Sequence, residues 1–123
     1  MAKRVLDVGN CDYDHSQLRA LIEGEFAAKV VRCHGAEDAL ADLKASPADL
    51  VLVNRLLDRD HSEGLEIIEQ IKADPALAAT HCLLLTNHAE HQQTAIAAGA
   101  EPGFGKAELS KPTTRKILAK FLS

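Results

Sequence analysis

One short stretch of the chain is apolar at every position. Residues 50–53, Leu-Val-Leu-Val, follow one another without a polar residue and end at Asn54. An unbroken apolar run of this length is typical of a strand buried on both faces, as in the middle of a parallel sheet. In open α/β sheets, ligands bind outside the carboxyl ends of the strands. We therefore predict a central strand within Ala48–Leu57 and expect Asn54 to stand where such a fold keeps a functional group.

Four further segments have the short, apolar or β-branched character of strands. Each is bounded by polar or turn-forming residues, and the last is only three residues long around Phe104. The predicted strands are Arg4–Val8, Lys29–Cys33, His81–Thr86 and Gly103–Gly105.

Between the predicted strands, apolar residues recur at intervals of three or four, which indicates amphipathic helices. The second helix is predicted at Ala36–Ala45, the third stops before Pro75, and the fourth covers Glu90–Ala98 with Ile96 as its only large apolar side chain. The expected core-facing residues of the first, second, third and fifth helices are Leu18, Leu21, Ile22, Phe26, Ala39, Leu40, Leu43, Leu65, Ile68, Ile71, Ile117, Leu118, Phe121 and Leu122.

Local signals predict where three of these helices begin or end. Asp14 and Gln17 have the spacing of a capping box, so Asp14 is predicted to cap the start of the first helix. Ser110 is expected to cap the last helix, with Pro112 in its first turn. Gly99 is expected to end the fourth helix.

Five strands that alternate with five helices predict right-handed βαβ units. Such units form a parallel sheet covered by helices on both faces. The sequence contains no internal repeat and no linker, and we predict one three-layer α/β domain over residues 1–123.

The composition narrows the range of partners. The net charge is −4 and 46% of the residues are hydrophobic, so neither a nucleic-acid-binding nor a membrane-binding charge pattern is present. The apolar runs are too short to span a bilayer, and residues 1–10 lack the apolar core of a signal peptide. Cys11, Cys33 and Cys82 are widely spaced and odd in number, which is typical of free thiols in a reducing compartment. We expect a cytoplasmic domain.

Three ordered motifs resemble the receiver domain of bacterial two-component response regulators, the CheY-like family. PADLVLVNRLL at 47–57 resembles that family's PDLILLDLMM signature. LLLTNHAE at 83–90 resembles its fourth strand with the switch threonine, and GAEPGFGK at 99–106 resembles its GADGYLxK segment. The resemblance covers essentially the whole chain. It implies a flavodoxin-like (βα)5 fold with strand order 2-1-3-4-5.

The resemblance also implies which positions would carry the chemistry. In that family, two acidic residues after the first strand and an aspartate after the third hold Mg²⁺. That aspartate accepts a phosphoryl group from a histidine kinase, and a threonine and a lysine bind the phosphoryl oxygens. In this chain the acidic pair falls on Gly9 and Asn10, and the phosphoacceptor falls on Asn54. Only Thr86 and Lys106 match.

These departures change the expected function. Mg²⁺ prefers carboxylate oxygens, and covalent phosphotransfer needs a carboxylate nucleophile. We therefore expect no cofactor, no enzyme activity and no phosphorylation at Asn54. Instead, the domain is expected to be a degenerate, or pseudo-, receiver that acts as a phosphorylation-independent protein-interaction module.

Lys106 and Thr86 have two interpretations. In the favoured one they are inherited structure, and Lys106 is paired with Asp7, Asp12 or Asp58, because a partly buried ammonium group needs a partner. In the other they still bind an anion. Asp7 interrupts an apolar strand, and it is either a buried, hydrogen-bonded acid or close to a sheet edge.

Two alternative functions stay open at this point. A displaced carboxylate, Asp12 or Asp58, could accept a phosphoryl group with Mg²⁺. The second and less favoured alternative is a small flavodoxin-like enzyme or cofactor binder. The sequence contains neither a GxGxxG motif nor a P-loop lysine motif, which argues against an enzyme or cofactor binder of this kind.

The last helix is basic on its outer side. In the resembled family, helix 4, strand 5 and helix 5 form the usual partner surface. We expect this surface to bind a protein, including a second copy of this chain. Its candidate contact residues are Phe104, Lys111, Arg115, Lys116 and Lys120.

Overall fold

The computed structural model of the protein describes residues 2–123 and has a four-stranded parallel sheet in its middle layer. The strands stand in the order β2-β1-β3-β4. They are β1 (Lys3–Val8), β2 (Ala28–Cys33), β3 (Leu50–Asn54) and β4 (Cys82–Leu85). The helices are α1 (Asp12–Glu25), α2 (Ala36–Ala45), α3 (Gly64–Ala73), α4 (Ala89–Ala97) and α5 (Pro112–Leu122).

Successive side chains of each strand point to opposite faces of the sheet. On one face, residues such as Val5 and Leu52 pack with α1 and α5. On the other face, residues such as Leu6 and Val53 pack with α2, α3 and α4. The run at 50–53 is completely buried, so the prediction of a central strand covered on both faces is confirmed.

The predicted helical faces are buried as expected in most places. Each of the first, second, third and fifth helices places two or more of the predicted residues in the core: Leu18, Ile22, Ala39, Leu43, Ile68, Ile71, Leu118 and Leu122. The others lie partly buried at the edges of the two clusters. In α4, the buried residue is Ala95, whereas Ile96 is 37% exposed.

The predicted fifth strand at Gly103–Gly105 does not form. The segment at 101–105 runs beside β4, and among the described residues only two backbone hydrogen bonds join it to that strand or to the residue after it. The amide N of Glu101 donates to the carbonyl of Cys82 at 2.9 Å, and the amide N of Thr86 donates to the carbonyl of Phe104 at 3.1 Å.

A side chain takes the place of the missing strand pairing. Gln92 of α4 donates from Nε2 to the carbonyl of Leu84 at 2.8 Å and accepts from the amide of Gly103 at 2.9 Å. Its carboxamide therefore stands between two backbone groups that a regular ladder would pair with strands. The prediction of a strand was wrong because the sequence pattern cannot show that a side chain from another element enters the ladder.

Two predicted helix starts are also wrong. Helix α1 begins at Asp12 with Cys11 as its N-cap, and no side chain caps it, so Asp14 lies within the first turn. Helix α5 has Lys111 as its N-cap rather than Ser110, with Pro112 in the first turn as predicted.

The predicted end of the fourth helix is confirmed, because Gly99 follows the C-cap with a φ of +110°. None of the helices within residues 2–123 has the length and apolar character needed to cross a membrane.

Candidate functional site

Gly9 follows β1 at the carboxyl edge of the sheet and has a left-handed backbone conformation, with φ +78°. The buried side chain of Leu57 packs directly over it. A Cβ atom at position 9 would stand 2.3 Å from Leu57 Cδ2. Position 9 therefore has no room for a side chain unless Leu57 moves, and its backbone conformation disfavours any residue except glycine.

The carbonyl oxygen of Gly9 joins this corner to the end of β3. It accepts a hydrogen bond from Asn54 Nδ2 at 3.0 Å and a second one from the backbone N–H of Asp58 at 3.0 Å. The Asn54 carboxamide is thus a cross-link between the ends of two central strands, while the Asp58 side chain is exposed to solvent.

The segment between β3 and α3 is a tight loop that holds Leu57 in place. The backbone N–H of Leu57 donates to the carbonyl of Ser62 at 2.9 Å, and the Leu57 carbonyl accepts from His61 at 2.8 Å. His61 adopts a positive φ of 58° to close the turn. Leu57 is 4% exposed, so the loop fills the space above Gly9.

Asp7 is completely buried in β1, which lies between two other strands. It is therefore the buried, hydrogen-bonded acid of the two alternatives. Asn10 Nδ2 donates to Asp7 Oδ1, and His15 Nδ1 is 2.7 Å from Asp7 Oδ2. The Asn10 side chain is itself fully buried and has its amide group fixed by this contact.

Lys106 reaches the same corner from the segment after β4. Its Nζ donates to Asp14 Oδ2 at 2.7 Å and to Asn10 Oδ1 at 3.2 Å. The predicted partners Asp7, Asp12 and Asp58 were wrong. The cause is the earlier start of α1, which places Asp14 in the first turn, facing the lysine. Asn10 thus bridges the buried Asp7 to Lys106.

Asp12 pairs elsewhere, with Arg32 of β2, at 2.7 Å. The Arg32 hydrogen bond and charge hold the pKa of the Asp12 carboxyl below its usual range. Arg32 also donates to the carbonyl of Asn10 at 3.0 Å. The first turn of α1 therefore supplies one carboxylate to Arg32 and another to Lys106.

Thr86 follows β4 at the same edge of the sheet and is 8% exposed. Its Oγ1 accepts from the backbone N–H of His88 at 3.2 Å. Within residues 2–123, no hydrogen bond links Thr86 to Lys106 or Asn54. The hydroxyl stabilises the turn into α4.

Of the five predicted contact residues of the candidate partner surface, three lysines are exposed, one arginine is paired and the aromatic residue is buried. Phe104 is 3% exposed and packs in the core cluster beside α1 and α5, so the expectation of an exposed aromatic contact residue was wrong. It is buried because its segment lies against β4. Arg115 pairs with Glu25 of α1 at 3.2 Å. Lys111, Lys116 and Lys120 are exposed.

Several solved structures of response regulators have the same fold. The chain superposes on the phosphorylated cyanobacterial phytochrome response regulator RcpA with a TM-score of 0.82 and 22% identity, covering 100% of this chain and 96% of that one. For the chemotaxis response regulator CheY4 of Vibrio cholerae, the TM-score is 0.78 at 19% identity, covering 99% and 100%.

A third structure is the N-terminal domain of a response regulator receiver protein from Methanoculleus marisnigri, with a TM-score of 0.70 and 23% identity over 95% of this chain and 90% of that one. No family model and no curated protein matches the sequence. At these identities the likeness establishes the fold. The predicted flavodoxin-like α/β fold is confirmed, with the fifth strand reduced to two backbone contacts.

Proposed function

We propose that the domain is a receiver-like signalling module that binds a protein partner without being phosphorylated. The observation that carries this proposal is the packing of Leu57 over Gly9. This contact fills the corner where the resembled family places an acidic side chain, so an acid at position 9 would require Leu57 to move and would have to adopt the left-handed backbone conformation of Gly9.

The groups at this edge of the sheet do not fit Mg²⁺. Gly9 has no side chain, and its carbonyl oxygen already accepts two hydrogen bonds. Asn10 is committed to Asp7 and Lys106, and the Asn54 amide donates to Gly9. Mg²⁺ demands near-octahedral oxygen ligands that include carboxylates. The carboxylates of Asp7 and Asp14, which contact Asn10 or Lys106, are already bound to other side chains.

The same groups do not fit a phosphoryl acceptor. The side chain at the end of β3 is a neutral carboxamide, which is a poor nucleophile. Its nitrogen points to the Gly9 oxygen at 3.0 Å. Residues 2–123 contain no group of three or more His, Cys, Asp or Glu side chains placed to hold a metal ion.

One observation favours a second candidate function, phosphorylation on a displaced carboxylate. Asp58 is anchored next to Gly9 through its backbone, and its exposed side chain could accept a phosphoryl group from solvent. Asp12 is less suited to this role, because it is tied to Arg32. Both residues lack the neighbouring carboxylates that would hold a divalent cation between acceptor and donor.

The direct test is intact-protein mass spectrometry after incubation with acetyl phosphate and Mg²⁺. The proposed function predicts no added mass, and no saturable amide NMR shifts at Asn54, Thr86 or Lys106 with beryllofluoride. A mass increase of one phosphate that disappears in Asp58→Asn would establish the second candidate instead.

The partner is proposed to contact the exposed basic residues of α5. Lys116 and Lys120 have no ion-pair partner within residues 2–123 and both are exposed, so an acidic protein surface would complement them. Sedimentation of the wild-type domain against Lys116→Glu/Lys120→Glu tests whether a second copy is the partner. A dimer that is lost in the double variant supports self-association, and a monomer in both directs the search to another protein.

A further inference from the structure

The ammonium group of Lys106 contacts the cluster formed by Asn10, Asp7, His15 and Asp14 through Asn10 and Asp14. Its side chain is 29% exposed, and that of Asp14 is 25% exposed. A partly buried ammonium group needs an anion or several acceptors to offset its loss of hydration. Two oxygens provide this, Asp14 Oδ2 at 2.7 Å and Asn10 Oδ1 at 3.2 Å.

Only one of these two oxygens carries charge. The Asn10 oxygen is neutral and is held in place by the bond from its amide to the buried Asp7. Asp14 is therefore the anion that neutralises Lys106. It belongs to the same chain, so it is present at an effective concentration in the millimolar range or above. A small anion in solution must displace it to reach the lysine.

We propose that the Asp14 carboxylate, by pairing with the Lys106 ammonium group, prevents small tetrahedral oxyanions such as inorganic phosphate from binding to that group. The inference rests on the proposed function, because it explains how a site that takes no phosphoryl group keeps its lysine neutralised. Removal of the Asp14 charge should open an oxyanion site formed by Lys106 Nζ.

The test is a titration of Asp14→Asn with inorganic phosphate, followed by amide NMR. We expect saturable shifts at Lys106 and its neighbours, with an apparent affinity about tenfold or more above that of the wild type. The matched control is Asp12→Asn. It removes the same charge from the same helical turn, but its carboxylate binds Arg32 rather than Lys106, so it should bind phosphate as weakly as the wild type.

Two results would overturn the proposal. One is equal phosphate binding by Asp14→Asn and Asp12→Asn, and the other is wild-type binding as tight as that of Asp14→Asn. If Asp14→Asn does not fold, Asp14→Ser carries the same expectation, because serine is well tolerated near a helix start. Adding Lys106→Met to the folded variant must abolish binding, and binding that persists also overturns the proposal.

Failure of this inference is distinct from failure of the proposed function. Phosphate that does not bind Asp14→Asn removes the role assigned to Asp14, while the wild-type domain still gains no mass from acetyl phosphate. Phosphorylation of the wild-type domain would instead contradict the proposed function itself.

Discussion

The packing at Gly9 makes a quantitative prediction about stability. In Gly9→Ala, the added methyl group must adopt φ +78°, and a left-handed conformation costs a non-glycine residue about 1–2 kcal/mol. The methyl also meets Leu57 Cδ2 at 2.3 Å, and overpacking a filled core costs about 1–3 kcal/mol. Alanine also lowers the conformational entropy of the unfolded chain, which stabilises the folded protein by roughly 0.4–1 kcal/mol. The expected loss of unfolding free energy is therefore roughly 1–4.5 kcal/mol.

The steric part of this loss can be separated by a double-mutant cycle with Leu57→Ala. Leu57→Ala alone should cost about 2–5 kcal/mol, because it leaves a cavity beside Gly9. In the double variant the new methyl enters that cavity rather than meeting the leucine. The loss of unfolding free energy in the double variant should then be smaller than the sum of the two single losses by about 1 kcal/mol or more. The backbone strain at position 9 remains in the double variant.

The assay is urea unfolding followed by far-UV circular dichroism, with Gly24→Ala as the matched control. Gly24 lies in α1, and a Cβ atom there meets nothing within 4 Å. In a helix, Gly→Ala at such a position should stabilise the protein by about 0.5–1 kcal/mol. The reasoning is refuted if Gly9→Ala unfolds within about 0.5 kcal/mol of the wild type, or if the losses in the Leu57 cycle are simply additive.

Three further predictions follow from the hydrogen bonds and burial of other residues. Asn54→Asp should gain neither Mg²⁺ affinity nor phosphorylation and should lose about 1–3 kcal/mol of stability, because it replaces a donor with an oxygen that faces the Gly9 carbonyl; robust phosphorylation measured by mass would contradict this. Gln92→Leu should speed hydrogen exchange of the Gly103 amide roughly tenfold, because it removes the acceptor of that amide. The control variant Gln93→Leu, which changes an exposed neighbour, should leave this exchange rate unchanged. Equal exchange rates in the two variants would show that the Gln92 side chain does not stabilise this segment. Burial raises the pKa of the Cys82 thiol from 9.0 to about 11. As the pH rises, this thiol therefore ionises in the unfolded chain before it ionises in the folded protein. The wild type should lose stability between pH 9 and 11, by up to about 1.4 kcal/mol per pH unit from this thiol. Cys82→Ala should lack that component, and equal slopes of unfolding free energy against pH in the two proteins would count against it.

The layers of the fold could be predicted from the sequence because burial leaves a local pattern. The run at 50–53 and the three-to-four spacing around Leu18 and Ile22 depend only on neighbours in the chain. The burial of Phe104 does not, because a single aromatic residue between glycines looks the same whether it faces solvent or the core. Only the position of β4 decides which of the two it is.

Within the site, the residue positions could be predicted but their contacts could not. Lys106 and Asp14 are 92 positions apart, and the pairing depends on a helix start that the capping pattern placed too late. The left-handed conformation of Gly9 has a visible signal, since glycine after a strand permits it. The leucine that covers it lies 48 positions later, in a loop whose path no periodic pattern describes.

The residues at positions 9, 54 and 57 fit one another in the present structure. A carboxylate at position 54 would place an oxygen against the Gly9 carbonyl, so the neutral amide is the side chain that suits the present backbone. A side chain at position 9 would collide with Leu57, so glycine suits the present loop. An acid placed at position 9 alone would therefore meet Leu57, and an acid placed at position 54 alone would face the Gly9 carbonyl oxygen. For this reason a single acidic substitution is expected to weaken the domain before it creates a metal site, and phosphorylation would require the loop that carries Leu57 to be rebuilt together with acidic residues at positions 9, 10 and 54.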